Sequence, residues 1–328
     1  MNTFAKALFS TVIAAATGTS MAAAVTTAVG GNVVIIDYSG RSIQYRLSDI
    51  ASTVSFNAGA TFDGTPDTAD NLSAAVGALN VVRATTAGIG GAVQETQYIE
   101  SFGEPLRSGL GLSLSGSALT ADNVTGELLT TQNSGGLQFE VPATRGTADG
   151  GRATISNFRF DVATRVVYAD LTGQALLANG EYGAEFSAQQ AFWTIGGVSG
   201  PTVIPGPASV NSSDSVFADA GIGVRRDANG DKHYTFVNEL RDLRITDAGM
   251  TFLSQALGLR STGINAFSYI NNEPGGWGTV RQSMTLTLPQ LTPSIPAIPE
   301  PSTFMLASGG LALGALLTSR HRRKACQA

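Results

Sequence analysis

The sequence predicts a mainly β protein: an antiparallel, sandwich-like body with one or two short helices, between an N-terminal signal peptide and a single C-terminal transmembrane helix. Of its 328 residues 43% are apolar, which is enough to bury a core. Glycine is abundant (39 residues) and charge is sparse (14%), and this pairing favours a turn-rich β chain. Strand-like alternation is clear where Ile43, Tyr45 and Leu47 alternate with Gln44 and Arg46.

The first 24 residues have the organisation of a secretory signal peptide. Lys6 supplies the positive charge, and residues 7–19 form an uncharged, mostly apolar run. This run is too short for the roughly 20-residue span of a permanent anchor. Small residues follow at 20–24, and we expect cleavage after Ala24, with Ala22 as the alternative.

The exported body, residues 25–288, contains several further stretches with a period of two, which is typical of half-buried strands. The apolar positions of these stretches are Leu110, Leu112 and Leu114; Phe158, Phe160 and Val162; Val167, Ala169 and Leu171; and Val280, Met284, Leu286 and Leu288. The second and third stretches predict one hairpin. Ser39-Gly40 predicts a turn after the apolar run 33–36.

Two helices are expected within the body. The first covers residues 69–80, and the second is capped by Asp247, carries Leu253 on its apolar face and ends at Gly258. Glycine and polar residues cluster at 144–151, where a subdomain boundary is possible. No internal repeat is evident.

The segment from Asp227 to Asp231 (DANGD) resembles part of a calcium-binding loop. Lys232 stands where such a loop needs glycine, and Asn238 stands where it needs glutamate. Because alternating residues flank the segment, Asn229-Gly230 is better interpreted as the turn of a hairpin.

Candidate catalytic groups are few. His233 is the single histidine of the body, and the only cysteine, Cys326, lies in the C-terminal tail, so a His-rich metal site and a cysteine nucleophile are excluded. We expect His233 to be an exposed hairpin residue. Lys232 is the only lysine of the body, which argues against Schiff-base chemistry. Paired carboxylates for glycoside hydrolysis stay open, because their pairing is spatial rather than sequential.

Aromatic side chains could stack on sugar rings, although in a sandwich they more often belong to the core. The candidates are Trp193, Trp277, Tyr234 and Tyr269. Trp277 lies in the loop-like stretch PGGWG, and it is therefore the one we expect to be exposed.

The C-terminus contains three successive signals. A proline-rich spacer at 289–301 predicts an extended chain. A transmembrane helix follows at 303–319, of which 304–319 would span about 24 Å. The basic tail 320–324 then stops transfer and places that end in the cytoplasm, the body outside. Its charged residues are Arg320, Arg322, Arg323 and Lys324.

The order Pro299-Glu300-Pro301, apolar helix and arginine-rich end, within residues 298–325, resembles the PEP-CTERM sorting signal. The resemblance implies a Gram-negative exported protein that a membrane-embedded exosortase recognises and processes, and whose genes accompany exopolysaccharide and biofilm genes. Pro299, Glu300 and Pro301 would be the recognition residues. Two segments, 155–173 and 243–259, are similar to HtaA-like β-rich domains, some of which bind haem.

Charge excludes one class of partner. Removing Lys6 and the four basic residues of the tail from 20 basic residues leaves 15 against 25 acidic, so the exported body is acidic and unsuited to nucleic acid. The resulting hypothesis is a non-enzymatic surface or matrix protein without a cofactor. Its partners would be the exosortase, the inner membrane and extracellular polysaccharide. The alternatives are a glycan- or haem-binding module and a polysaccharide hydrolase.

Overall fold

The computed structural model describes residues 22–56, 85–101, 104–210, 212–272 and 274–290, with side chains described outside 96–108. The described residues from 22 to 289 belong to one compact unit. The predicted helix at 69–80, most of the signal peptide and the whole sorting signal lie outside the described residues.

Fourteen strands and three helices are present in the described residues. The strands are β1 (Ala24–Ala28), β2 (Asn32–Ile36), β3 (Ser42–Phe56), β4 (Thr85–Ile89), β5 (Val93–Ser101), β6 (Glu104–Asp122), β7 (Leu128–Ser134), β8 (Gly136–Val141), β9 (Gly151–Asp161), β10 (Val166–Ala175), β11 (Phe186–Ser199), β12 (Gly223–Arg226), β13 (Lys232–Ile245) and β14 (Thr279–Leu288). The helices are α1 (Asp214–Asp219), α2 (Asp247–Ala256) and α3 (Ser261–Ile270).

Every named pair of strands is antiparallel, which confirms the mainly β antiparallel prediction. The strands are not divided between two sheets, as a sandwich requires. They belong to one sheet, in which pairing runs β6-β3-β14-β13-β11-β10-β9 and returns through β7 to β6. Hydrogen bonding therefore closes on itself, and β9 exchanges β8 for β7 as its partner along its length.

Buried side chains form two apolar clusters. The larger one lies beneath α2 and α3 and includes Val54, Leu112, Phe160, Trp193, Leu243 and Phe267. The smaller one includes Ile35, Tyr45, Ile50, Phe217, Tyr234 and Met284. Both draw on β3, β6, β13 and β14, because the opposite halves of these long strands contribute to different clusters.

A belt of buried polar side chains lies at strand positions between the two clusters. Ser52, Thr131, Asn133, Asn238 and Gln282 are each at most 3% exposed. Gln282 Nε2 donates to Thr131 Oγ1 at 2.6 Å, which joins β14 to β7, two strands that are not neighbours. Gln282 Oε1 and Asn238 Oδ1 have no hydrogen-bond partner among the described residues. The core is thus interrupted by a partly satisfied polar layer.

The predicted hairpins are confirmed. Strands β9 and β10 pair around the turn that follows Asp161, and β2 and β3 pair around Gly40. Strands β12 and β13 pair around Asn229-Gly230, where Gly230 has a φ of 86°. The polar cluster at 144–151 contributes Ala148 to the larger core cluster.

Helix α2 confirms the predicted helix after residue 246, with one correction. Its cap is Thr246, whose hydroxyl accepts from the backbone N–H of Gly249 at 3.0 Å, and Asp247 is already helical. The backbone of Thr246 is extended, and its side-chain oxygen accepts a hydrogen bond from an otherwise unpaired N–H of the first helical turn. Helices α1 and α3 were not predicted from the sequence pattern. Among the described helices, none is long and apolar enough to cross a membrane.

Candidate functional site

A groove of about 550 Å³ with many polar lining residues crosses β6, β7, β9, β10 and β11. It is lined by Ser117, Gln132, Asn133, Ser134, Asn157, Arg159, Tyr168, Ala169, Gln189 and Gln190. The alternation of the strands places Arg159 and Tyr168 at the centre of the groove. Phe158 and Phe160 are buried, so Arg159 between them faces outward. Tyr168 faces outward by the same rule.

The floor of the groove is shaped by an irregularity in β9. Asn157 has a φ of 52°, and the register between β9 and β10 shifts between Tyr168 and Asp170. The backbone N–H of Asn157 donates to Gly135 O at 2.9 Å, at the point where β9 changes its partner strand. Asparagine adopts the left-handed conformation more readily than most residues, and such bulges redirect side chains.

Asp170 organises the amides of the groove. Its Oδ2 accepts from Asn157 Nδ2 at 2.9 Å, and its Oδ1 accepts from Gln189 Nε2 at 2.7 Å. The hydrogen bond from each amide nitrogen to Asp170 fixes the orientation of that amide. The carbonyl oxygens Asn157 Oδ1 and Gln189 Oε1 then remain as acceptors for another molecule.

Arg159 is the cation of the groove. Its guanidinium carbon lies 4.2 Å from the ring centroid of Tyr168, a cation–π arrangement that holds the planar group in place. None of the ion pairs among the described residues involves Arg159. The groove thus combines an oriented guanidinium without a carboxylate partner and two oriented amide acceptors.

His233 lies in a separate hydrogen-bonded chain on β13. Its Nδ1 is 2.9 Å from Thr287 Oγ1, and its Nε2 is 3.3 Å from Asp227 Oδ2. Thr287 Oγ1 is also 2.6 Å from Ser48 Oγ. The prediction that His233 is exposed is wrong, because its side chain is only 18% exposed between its two partners.

The hydroxyl–imidazole–carboxylate order resembles a proton relay, but Thr287 is only 7% exposed and its hydroxyl is not open to a substrate. Asp227 instead serves the turn: its Oδ1 accepts from the backbone N–H groups of Asn229 and Asp231. Partial desolvation opposes ionisation, yet the bonds from His233 and these two N–H groups leave the pKa of Asp227 below its usual value. This series of hydrogen bonds from Thr287 through His233 to Asp227 therefore stabilises the β12–β13 hairpin.

The exposure of the four aromatic candidates for sugar stacking differs from the prediction. Trp277 is 2% exposed, so the prediction of an exposed Trp277 is wrong. Trp193 and Tyr234 are buried, whereas Tyr269 is 59% exposed on α3. Tyr168 was not among the predicted residues, although the alternation of β10 places it on the face opposite the buried Val167 and Ala169.

Ala24, the expected cleavage residue, is the first residue of β1 and pairs with Asp122. Ala23 is held as well: its N–H donates to Asn123 Oδ1 at 2.9 Å, and its carbonyl accepts from Asn123 N at 3.0 Å. The recognition residues Pro299, Glu300 and Pro301 and the basic residues 320–324 lie outside the described residues.

Fold and groove together define a mainly antiparallel β protein with a polar surface site. The remainder of the chain places it more specifically, because residues 297–323 match the family model of the PEP-CTERM protein-sorting motif. This match supports an exosortase-processed surface protein. No curated protein matches the chain. No solved structure matches it either, and the HtaA-like similarity finds no support in these comparisons.

Proposed function

We propose that this chain is an exported, non-enzymatic surface protein that an exosortase processes and that associates with extracellular polysaccharide. The observation that carries the proposal is the sorting-motif match at residues 297–323. The uncharged run at 304–319, followed by four basic residues, suits a transient anchor with the body outside the cytoplasm. Processing would then release the body to the cell surface or the medium.

The groove supports the polysaccharide part of the proposal. Amide and hydroxyl groups line it, and such groups exchange hydrogen bonds with the hydroxyls of a sugar. A hydrolase would need a carboxylate free to give or take a proton. Both oxygens of Asp170 instead accept hydrogen bonds from neutral amides, which favours a structural role for this carboxylate.

The experiment that tests the proposal replaces the recognition residues. Pro299→Ala together with Glu300→Ala should block processing, so the intact chain accumulates in the membrane fraction. A matched control, Pro293→Ala with Pro296→Ala, changes two prolines of the spacer and leaves the motif intact. Intact-mass measurement of the protein from membrane and medium reports both ends. Normal processing of the motif variant would overturn the proposal.

The contacts of Ala23 favour the alternative position of signal-peptide cleavage, after Ala22. Cleavage after Ala24 would remove both bonds between Ala23 and Asn123 and the first register position of β1. Cleavage after Ala22 keeps them. The same mass measurement distinguishes the two products, which differ by two alanines.

A further inference from the structure

The groove carries a more specific inference about its ligand. We propose that it binds a carboxylated polysaccharide, with the sugar carboxylate on Arg159 and neighbouring hydroxyls on the amide oxygens of Asn157 and Gln189. This inference rests on the proposed association with polysaccharide, for which it names the site and the chemical class.

The shape and lining of the groove suit a short segment of a polymer. Its volume of about 550 Å³ lies in the range of ligand sites. Its lining residues come from five neighbouring strands, and with a spacing of about 4.8 Å these strands extend over roughly 19 Å. Its lining combines apolar surface, including the ring of Tyr168, with amide and hydroxyl groups, and a sugar likewise presents both C–H faces and hydroxyls. An open polar groove therefore fits a hydroxyl-rich polymer.

Charge selects the acidic class of sugar. Arg159 has no ion-pair partner among the described residues, and its guanidinium lies over the ring of Tyr168. A planar guanidinium matches a carboxylate with two parallel hydrogen bonds. The carboxylate of Asp170 is already occupied by two amides. The remaining groups therefore complement a ligand that brings one carboxylate and several hydroxyl donors.

The acidic net charge of the body does not oppose this binding at contact distance. Charges more than about 8 Å away are largely screened at physiological ionic strength. Two charges lie at the groove. Arg159 would touch the sugar carboxylate directly, whereas the oxygens of Asp170 are turned to the amide nitrogens of Asn157 and Gln189. The contact with Arg159 is therefore the favourable one, and raising the salt concentration should weaken it.

The test uses the full-length protein purified in an uncharged detergent, with calorimetric titration of short oligogalacturonate. Arg159→Gln should weaken binding roughly tenfold to hundredfold, because it removes a charge-assisted bidentate contact. Arg46→Gln is the matched control: it removes the same charge from an exposed position of β3, away from the groove. Its affinity should equal that of the unaltered protein.

A second arm needs no variant, so it holds even if Arg159→Gln fails to fold. The methyl ester of the same oligomer keeps the ring hydroxyls and loses the charge, and we expect it to bind at least roughly tenfold more weakly than the acid. Equal binding of acid and ester would overturn carboxylate recognition. Competition by acetate or phosphate as strong as that by the oligomer would show a free-anion site and overturn the polysaccharide.

Absence of oligomer binding would also overturn the inference. The result is separable from the sorting test, because binding by the purified protein does not depend on the processing of Pro299 and Glu300. Normal processing of the sorting variant would therefore refute only the proposed export route.

Discussion

The bond between Gln282 and Thr131 allows a direct test of the polar belt. Gln282 Nε2 donates to Thr131 Oγ1 at 2.6 Å, and its alternative acceptor, Ser52 Oγ, lies at 3.5 Å. Thr131→Val keeps the side-chain shape but removes this acceptor. A buried amide N–H is then left with only the long contact, which costs about 1–3 kcal/mol. Gln282→Met, by contrast, also removes an oxygen that has no partner.

We therefore expect Thr131→Val to lower the free energy of unfolding by about 2 kcal/mol. Gln282→Met should lower it by less, because the bond lost by the Thr131 hydroxyl is partly offset by removal of the unpartnered Gln282 Oε1. The double variant should be more stable than Thr131→Val alone, because no donor is then left unpaired. With a urea dependence of about 3 kcal/mol per molar, the single variant shifts the midpoint by roughly 0.7 M. Trp193 and Trp277 are buried, so their fluorescence reports the transition.

Two outcomes would refute this reasoning. The first is an unchanged midpoint for Thr131→Val. The second is a double variant whose loss equals the sum of the two single losses within about 0.5 kcal/mol, since independent sites add in this way. In either case the belt would not be coupled across the interior.

Two further predictions concern backbone approach and pH. A Cβ at Gly116 would lie 2.1 Å from Ile50 Cβ, so Gly116→Ala should lower the free energy of unfolding in urea by about 3 kcal/mol. Gly197→Ala is the control and should be neutral, because its Cβ would meet no atom within 4 Å. Equal effects of the two variants would contradict the close approach at Gly116. The hydrogen bond from the backbone N–H of Thr125 holds the pKa of Asp122 below its usual value. The ionised carboxylate therefore stabilises the folded state at pH values above the pKa it has in the unfolded chain. This contribution is lost as the pH falls through the lower pKa of the folded state. Asp122→Asn should therefore lower the thermal midpoint at pH 7, and the difference should shrink as the pH falls below about 4, the ordinary pKa of an aspartate. A pH-independent difference would contradict this.

Local patterns predicted the hairpins well. The β9–β10 hairpin follows from alternation that continues across a short turn, and Asn229-Gly230 is a turn signal of its own. Helix α2 was predictable from its apolar spacing, although the choice of Thr246 as the cap depends on which hydroxyl reaches Gly249. In each case the interacting residues are near one another in the chain.

Trp277 shows where local reasoning fails. Its glycine-rich surroundings predict an exposed loop, but Gly276 and Gly278 have φ values of 55° and 130° and turn the backbone inward. The indole then packs 5.6 Å from the ring of Phe267, and its Nε1 donates to Asn271 Oδ1 at 3.1 Å. Glycine composition indicates that the backbone turns, and it does not indicate in which direction the side chain points.

The sequence by itself determined the antiparallel β class and the sorting motif at 297–323, because alternation and linear signals depend only on neighbouring residues. The tertiary structure alone decided the closure of the sheet and the groove. Both depend on register between distant strands: β7 meets β9 through three residue pairs, and this brings Gln132 opposite Arg159. A shift of one residue would turn the arginine to the other face, and no local pattern encodes that register.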